Sequence, residues 1–377
     1  MSRIYKGFLA GAAALIAATA CSASAVADQA AATVPAKPAT PATPVEVLSV
    51  SFVSPRVGYL LGERGEQASR VLVRKTVNGG RTWTAVHAPA APVADMFQSS
   101  PPPDAVGSVY FPSQSGGWAF GPALWHTTDG GVTWRRERVP GPVTDFEVAS
   151  GGRLLAVVTV TGRSGTPDLR LYAAPAGADD WRAVPGAALS DVSGASLAVS
   201  GRTGYLLASR YDLARPVLLA GPVTGPARWR ALPAPCPGSW SAALAASPGW
   251  LFAGCGSEPG AGNQLKTAFV SRDGGRAWHR VASPPMGGYL GGATMSAGGT
   301  IFLSGERMDI YISRDRGRGW HESPSLRNAA GLANAGFFLG AQAVTDKAGV
   351  VFEKGVGARQ VWLTTDGGRR WSPVTVR

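Results

Sequence analysis

Residues 364–371 read TTDGGRRW, and four other stretches repeat this order of a hydroxyl residue, an acid or amide, glycine and tryptophan. The counterparts are TVNGGRTW (76–83), TTDGGVTW (127–134), SRDGGRAW (271–278) and SRDRGRGW (313–320). Two more tryptophans, in APAGADDW (174–181) and PVTGPARW (222–229), keep the spacing without the turn chemistry. The seven tryptophans are Trp83, Trp134, Trp181, Trp229, Trp278, Trp320 and Trp371. Their gaps of 42 to 51 residues are typical of β-propeller blades.

Each motif predicts the turn of a β-hairpin, because an apolar run such as Val71-Leu72-Val73 precedes it and a short extended stretch follows. Glycine supplies the positive φ that the turn needs, and the acid or amide can accept hydrogen bonds from backbone N–H groups. We therefore expect these side chains to be structural and not catalytic. The predicted structural set is Asn78, Asp129, Asp273, Asp315 and Asp366, covered by Trp83, Trp134, Trp278, Trp320 and Trp371.

A second recurring element lies upstream of each motif and is almost continuously apolar, as in Gly58-Tyr59-Leu60-Leu61-Gly62. This pattern favours a strand buried between neighbouring blades. With one inner strand, such as residues 47–53, and the hairpin, each repeat has four strands, which make one blade. We predict an all-β, seven-bladed β-propeller over residues 46–377. Its ring could close by contact of blades 1 and 7 or through an added strand from residues before Val45.

The turn motifs resemble Asp-boxes, also called BNR repeats, and the resemblance covers residues 46–377. Propellers of this kind include sialidases, β-glucan-cleaving glycosidases, sortilin-type receptors and photosystem II stability/assembly factor-like proteins. Sialidases have six blades and an Arg-Ile-Pro element, whereas this chain has seven repeats and reads Ser54-Pro55-Arg56-Val57. The chain is most similar to the assembly-factor-like group. That resemblance implies a single exported propeller that docks to other proteins without catalysis.

The N-terminus predicts export, because Arg3 and Lys6 precede an apolar run over residues 7–20 and then small residues. We assign residues 1–27 to the export signal and residues 28–45 to an Ala/Pro/Thr-rich linker. The segment 18–21 resembles a bacterial lipobox that would place a lipid on Cys21, whereas A-x-A sites at 23–25 or 25–27 would release a secreted protein. We expect an extracellular or cell-surface protein, anchored to the outer leaflet of the cytoplasmic membrane if it is lipidated.

Two further cysteines, Cys236 and Cys255, form an even set, which in an exported protein suggests a disulfide. Cys236 is expected in the connection that leaves blade 4, and Cys255 at the end of the second strand of blade 5. Both places open on the same face of a propeller. The alternative is a pair of buried free thiols.

The formal net charge is +12, and much of the positive charge is arginine within the turn motifs. Since these turns share one propeller face, we predict a basic face there. Its members are Arg272, Arg276, Arg314, Arg316, Arg318, Arg369 and Arg370. Such a surface suits an acidic protein, an anionic polymer or lipid headgroups, although arginines at exposed turns can also be simply solvated. Nucleic acid is not expected, because no nucleic-acid-binding module is recognisable.

Loops between second and third strands should lie on the opposite face and carry more varied polar chemistry. The predicted ligand-binding residues there are Arg64, Arg210, Tyr211 and Arg307. A glycosidase would draw its acid/base pair from Glu63, Asp212, Glu306 and Asp309. No metal or cofactor is expected, because the four histidines are scattered and no phosphate-binding loop is present.

Together these features favour a monomeric, non-catalytic propeller that binds a protein or glycan partner at the bacterial cell surface as an assembly or interaction scaffold. The alternative is a glycoside hydrolase, sialidase-like or β-glucan-cleaving, that acts on an extracellular glycan.

Overall fold

The computed structural model describes residues 45–64, 70–94, 101–162, 165–212, 215–225, 227–305, 310–323, 338–354 and 359–376. Within these ranges the chain forms seven antiparallel sheets of four strands each and no helix. This confirms the predicted all-β, seven-bladed β-propeller with four-stranded blades.

The first four blades follow one another along the chain, and each uses four consecutive strands. Blade 1 contains β1 (Val45–Phe52), β2 (Gly58–Arg64), β3 (Leu72–Thr76) and β4 (Thr84–Val86). Blade 2 contains β5 (Ser108–Tyr110), β6 (Gly117–Phe120), β7 (Leu124–Thr127) and β8 (Arg135–Glu137). Blade 3 contains β9 (Val143–Ala149), β10 (Arg153–Thr161), β11 (Pro167–Pro175) and β12 (Arg182–Leu189). Blade 4 contains β13 (Val192–Ser200), β14 (Thr203–Arg210), β15 (Val217–Pro222) and β16 (Arg230–Leu232).

The remaining three blades have the same order. Blade 5 contains β17 (Ser241–Ser247), β18 (Trp250–Gly256), β19 (Lys266–Ser271) and β20 (His279–Arg280). Blade 6 contains β21 (Leu290–Met295), β22 (Ile301–Gly305), β23 (Ile310–Ser313) and β24 (His321–Glu322). Blade 7 contains β25 (Phe338–Ala343), β26 (Gly349–Lys354), β27 (Gln360–Thr364) and β28 (Ser372–Thr375).

The meander order of every blade sorts its connections onto two faces. The five turn motifs, which we call box turns, join third to fourth strands and lie beside the turns between first and second strands; for example, Gly79 N–H donates to Arg56 C=O at 2.8 Å. We call this side the box face. The loops between second and third strands and the connections between blades form the other side, the loop face.

The hydrophobic core lies between the blades. It consists of seven clusters, and each is shared by two adjacent blades, including blades 7 and 1. Second strands supply residues to the clusters on both sides, as Leu60 and Leu61 of β2 do. Because a second strand is covered on both faces, its sequence is almost continuously apolar and not alternating.

The inner strands of neighbouring blades belong to different sheets, so backbone N–H groups facing a neighbour need side-chain partners. Short polar side chains on one inner strand accept hydrogen bonds from the next. The acceptor–donor pairs are Ser51–Phe111 N (2.9 Å), Asp145–Leu197 N (2.7 Å), Ser196–Leu244 N (3.1 Å) and Thr294–Ala343 N (3.2 Å). These inter-blade contacts fix the ring from the inside.

The ring closes by direct contact of blades 1 and 7, with no strand of one blade paired in the sheet of the other among the described residues. The Gln342 carboxamide spans the junction, since its Oε1 accepts from Phe52 N–H at 2.7 Å and its Nε2 donates to Phe52 C=O at 3.1 Å. Arg359 adds an ion pair to buried Glu46 at 3.2 Å. Side-chain contacts therefore join blades 1 and 7 in place of a shared strand.

Cys236 and Cys255 form a disulfide whose Cα atoms are 5.5 Å apart. It joins the connection that leaves blade 4 to the end of β18, on the loop face. No helix in the described ranges is long and apolar enough to cross a membrane.

Candidate functional site

The acids of the box turns are occupied within their own turns. In the turn of blade 2, Asp129 Oδ1 accepts from the backbone N–H groups of Val132 and Thr133 at 3.0 and 2.9 Å. The Thr127 hydroxyl donates to Asp129 and accepts from Gly131 N–H, at 2.8 and 2.9 Å. Hydrogen bonds from Thr133 hold the pKa of Asp129 well below its usual range. This geometry describes a turn-stabilising carboxylate and not a catalytic acid.

The same pattern recurs in the other box turns, with Asn78 replacing the acid in blade 1. Hydrogen bonds from the turn lower the pKa of Asp273 and Asp366, and the pKa of Asp315 is lowered by the same contacts against opposing desolvation. Three of the five box tryptophans also contact the preceding blade. Trp134, Trp278 and Trp320 donate their indole N–H to carbonyls just after its fourth strand, at 2.8 to 3.1 Å. The box turns therefore stabilise both hairpins and blade contacts.

All seven arginines of the predicted basic face lie on box turns of blades 5, 6 and 7, but several are already engaged. Arg276 and Arg369 each fold back to the carbonyl of their own box aspartate, at 2.7 and 2.8 Å. Arg314 donates to Gly367 C=O of the next blade at 2.7 Å, and burial lowers its pKa. Arg318 and Arg370 are exposed.

Two arginines of the basic face meet at the side chain of Trp250. The Arg272 guanidinium carbon lies 4.1 Å from the centroid of the Trp250 ring, and that of Arg316 lies 4.7 Å from it. Two blades meet here, because Arg272 belongs to the box turn of blade 5 and Arg316 to that of blade 6. The two guanidinium carbons are thus no more than about 9 Å apart, held by cation–π contacts to one ring.

Arg316 occupies a position that is unfavourable for any side chain. Its φ is +60°, and the equivalent residue of every other box turn is glycine, with φ between 70° and 73°. Its Nε lies buried with no hydrogen-bond partner. The side chain fits only because Gly299 has none: a Cβ there would lie 2.6 Å from Arg316 Cγ. Residues held in a strained backbone conformation cluster at functional sites.

A cavity of about 270 Å³ opens beside this stack. Arg272, Arg316 and Arg318 line it together with Trp250 and His279, and no carboxylate is among its lining residues. We call these five residues the arginine–tryptophan site. Its three arginines make the surroundings of the cavity positive, and a positive surface attracts an anionic group.

The predicted loop-face residues that the structure describes lie on two blades. Arg64 and Glu63 lie at the end of β2 in blade 1, whereas Arg210, Tyr211 and Asp212 lie at and after the end of β14 in blade 4. Arg210 Nε lies 3.5 Å from Asp212 Oδ1, an exposed ion pair. Three other predicted residues, Glu306, Arg307 and Asp309, fall outside the described residues, as does Cys21.

Sequence reasoning missed a group of titratable residues in the central channel. Inner strands of all seven blades line this cavity of about 790 Å³. Desolvation raises the pKa of Asp145 to about 6, and desolvation together with the nearby Asp145 raises that of Glu147 to about 8. Lys354 lies in the same channel, and burial lowers its pKa. The only signal for this group in the sequence is the spacing of Asp145 and Glu147, which lie two residues apart on β9.

Trp250 was also missed as a site residue. It belongs to the recurring element upstream of the box turns, in which the corresponding Tyr59, Trp118 and Tyr205 are buried. Trp250 remains partly exposed, so its place in the pattern concealed its different role. No group of three or more potential metal ligands occurs in the described ranges.

Comparison with known proteins supports the fold. No protein-family profile and no curated protein sequence matches the chain. Among solved structures, a structure described as YCF48 bound to D1 peptide aligns with a TM-score of 0.55 at 17% identity, covering 86% of this chain and 94% of its own. YCF48 from Cyanidioschyzon merolae aligns with the same score and identity, covering 86% and 96%. At such low identity the similarity demonstrates a shared fold.

Proposed function

We propose that this protein is a non-catalytic β-propeller scaffold that binds an acidic segment of a partner protein at its arginine–tryptophan site. The observation that carries the proposal is Arg316, a left-handed arginine stacked with Arg272 on Trp250. The left-handed backbone costs about 1–2 kcal/mol for a residue other than glycine. Arg316 therefore lowers the stability of the fold, and it also adds to a cluster of like charges at the surface. A residue with both of these costs is better explained by a role in binding than by a role in stability.

An anion would relieve the repulsion between the two guanidinium groups. Arginine presents several N–H donors in a planar fork that matches a carboxylate. A protein partner is further supported by the fold neighbour that binds a peptide. The partner's acidic side chains would sit across the seam of blades 5 and 6.

The proposal includes the cellular context expected from the sequence. Residues 1–27 act as an export signal and residues 28–45 as a linker, so the propeller works outside the cytoplasm, tethered through Cys21 or secreted. The box turns are Asp-box repeats, and their repeated order of hydroxyl residue, acid or amide, and tryptophan stabilises the blades and takes no part in catalysis.

A labelled octaglutamate peptide tests the anion site by fluorescence anisotropy against the full chain. We expect binding that weakens with salt and falls about tenfold in the Arg272→Gln/Arg316→Gln variant. The matched control, Arg81→Gln/Arg370→Gln, removes the same charge from box turns of blades 1 and 7. An equal loss in the control would show diffuse electrostatic attraction and would overturn the proposed site.

Affinity capture from the native cell envelope then tests the protein partner. A protein retained by the parent chain and by the Arg81→Gln/Arg370→Gln variant, but lost with Arg272→Gln/Arg316→Gln, would support the scaffold. Capture that does not distinguish the variants would count against it. Hydrolysis of fluorogenic glycosides by the full chain would contradict the non-catalytic assignment.

A further inference from the structure

The loop face has a sector of exposed apolar side chains far from the box turns. Tyr211 is 54% exposed, Trp240 49%, Leu265 60% and Met286 53%. All four stand on loops or connections of blades 4 to 6. The other large hydrophobic side chains that are exposed in the described ranges, Val77 and Val132, belong to box turns on the opposite side. On the loop face, the exposed large apolar side chains of the described residues thus fall in one sector, which is typical of an interaction surface.

The sector has a pocket of about 500 Å³ at its centre. Tyr211, Trp240 and Tyr289 are aromatic residues from separate connections that line it, and Arg210 and Pro259 are among the other lining residues. Leu265 and Met286 flank this pocket, because Gln264 N–H donates to Met286 C=O at 3.0 Å and Gln264 itself lines the pocket. We call these residues the aromatic pocket.

The loops that carry the aromatic pocket are fixed in place. Trp240 N–H donates to Gly256 C=O at 2.9 Å, next to the disulfide between Cys236 and Cys255. The buried Lys266 ammonium donates to the carbonyls of Met286, Gly287 and Gly288 at 3.1, 2.7 and 2.8 Å. A surface that is ordered before binding loses little entropy when a ligand arrives.

The lining of the pocket contains the residue types of a protein-binding surface. No carboxylate lines it, and the Gln264 carboxamide is already hydrogen-bonded to Ser257 C=O and Leu290 N–H, at 2.6 and 2.7 Å. Tryptophan, tyrosine and arginine are the side chains that dominate protein interfaces. Proline rings of an extended segment pack on aromatic grooves of this type, and their preformed helix lowers the cost of binding.

We infer that the aromatic pocket binds an extended, proline-rich segment of a partner protein, with an acidic residue of that segment beside Arg210. Charge complementarity selects the acid, because Arg210 is the only charged residue that lines the pocket in the described part of the chain. The ion pair of Arg210 with Asp212 is exposed and long, at 3.5 Å, so a second carboxylate can share the guanidinium. This site lies on the face opposite the arginine–tryptophan site, and either can fail without the other.

Panning a phage-displayed library of random dodecapeptides against the full chain tests the inference. We expect enrichment of sequences with prolines three residues apart and a neighbouring Asp or Glu, because one face of a polyproline helix repeats every three residues. The selected peptide, made synthetically, should bind about tenfold more weakly to the Trp240→Ala and Tyr211→Ala variants. Arg210→Gln should weaken binding of the acidic peptide. It should not change the affinity of an analogue in which alanine replaces the acidic residue.

Val132→Ala is the matched control, since Val132 is exposed to a similar extent, 55%, but lies on the box face. It should leave peptide affinity unchanged. Thermal melting of each variant distinguishes a loss of peptide contacts from a loss of folded protein. Because Trp240 is half-exposed, its truncation should not change the melting temperature. Enrichment without a proline pattern, equal binding by a folded Trp240→Ala variant, or a glycan array signal that this variant abolishes would each overturn the inference.

Discussion

At the scale of the residue, Arg316 stands where the local backbone favours glycine, and its side chain contacts Trp250, which is distant in sequence. Four box turns place glycine at this position, where φ is positive, and the fifth places arginine. The side chain gains a cation–π contact to Trp250, 4.7 Å from the ring centroid, and loses hydrogen bonding at Nε. Local rules that fail at one repeat and hold in the others point to function.

Arg316→Gly should raise the free energy of unfolding by about 1 kcal/mol, because glycine adopts the left-handed region without strain. Binding of acidic peptide should fall in the same variant. Urea denaturation measures the first effect and anisotropy the second. Arg318→Gly, in the same turn but without positive φ, should give no gain in stability; a gain there equal to that of Arg316→Gly would contradict the strain argument.

The box aspartates make a second prediction at this scale. Asp366 Oδ1 accepts from the N–H groups of Arg369 and Arg370 at 2.9 and 3.0 Å, and these contacts lower its pKa. Asp366→Ala should lower the melting temperature more than Asp366→Asn, since Asn78 fills the same role in blade 1.

The lowered pKa of Asp366 in the folded state also means that its contribution to stability is lost as pH falls below about 4. Scanning calorimetry at pH 3 and 6 would check this, and equal losses in both variants would refute it.

At the scale of the element, the junction of blades 1 and 7 depends on β25 and β1 meeting through side chains. Gln342 of β25 satisfies both the N–H and the C=O of Phe52 in β1, across 290 residues of sequence. The apolar cluster beneath contains Val47, Leu60 and Val350. Chain ends that meet without a shared strand make this the seam where the ring would open first.

Gln342→Ala should lower the free energy of unfolding by about 1–3 kcal/mol, because it leaves two backbone groups at the seam without partners. Gln342→Glu keeps the acceptor for Phe52 N–H but sets a carboxylate oxygen against Phe52 C=O, so it should also destabilise the seam. Hydrogen exchange should rise first in β1 and β25. The control is Gln114→Ala, an exposed glutamine in blade 2, and equal destabilisation by the two alanine variants would contradict the role of the seam.

At the scale of the whole molecule, seven blades create a channel whose titratable groups come from different blades. Tyr110, Glu147 and Lys354 line it, and Asp145 lies beside them on β9. Burial raises the pKa of Tyr110 and of both acids, and it lowers the pKa of Lys354. No single blade produces these shifts, because only the closed ring removes the groups from bulk water.

The channel acids predict a pH-dependent stability. Glu147 has a folded pKa raised from 4.5 to about 8, so its stabilising contribution is complete below pH 4.5 and is lost as pH rises towards 8. Glu147→Gln should reduce the fall in urea midpoint between pH 5 and 8, with the remainder due to Asp145. Glu258→Gln, at an exposed loop position, is the control. An unchanged slope in Glu147→Gln would contradict the assignment.

The disulfide also acts on the whole loop face. It closes a loop between residues 19 apart and should contribute about 3 kcal/mol by restricting the unfolded chain. The Cys236→Ser/Cys255→Ser variant should therefore unfold at lower urea than the parent. Its unfolding curve should match that of the parent under reducing conditions; a persistent difference would show that the serines act by another route.

The sequence determined the architecture because its signals are local. Each box turn is stabilised within eight residues by its own hydroxyl, acid and glycine, and the repeat length counts the blades. The continuous apolar pattern of the second strands likewise predicted that both of their faces are buried. Turn chemistry and strand periodicity depend on neighbours along the chain, so they can be recognised without coordinates.

The tertiary structure alone decided the sites. Whether an arginine of the basic face is free depends on partners such as Gly367 for Arg314, which lies 53 residues away. The stack on Trp250 joins two blades, and the aromatic pocket joins Tyr211, Trp240 and Tyr289 from separate connections. Ring closure at Gln342 and the desolvated channel also require all seven blades in place. Contacts between distant residues depend on how the blades stack, and stacking is set by packing that no single repeat encodes.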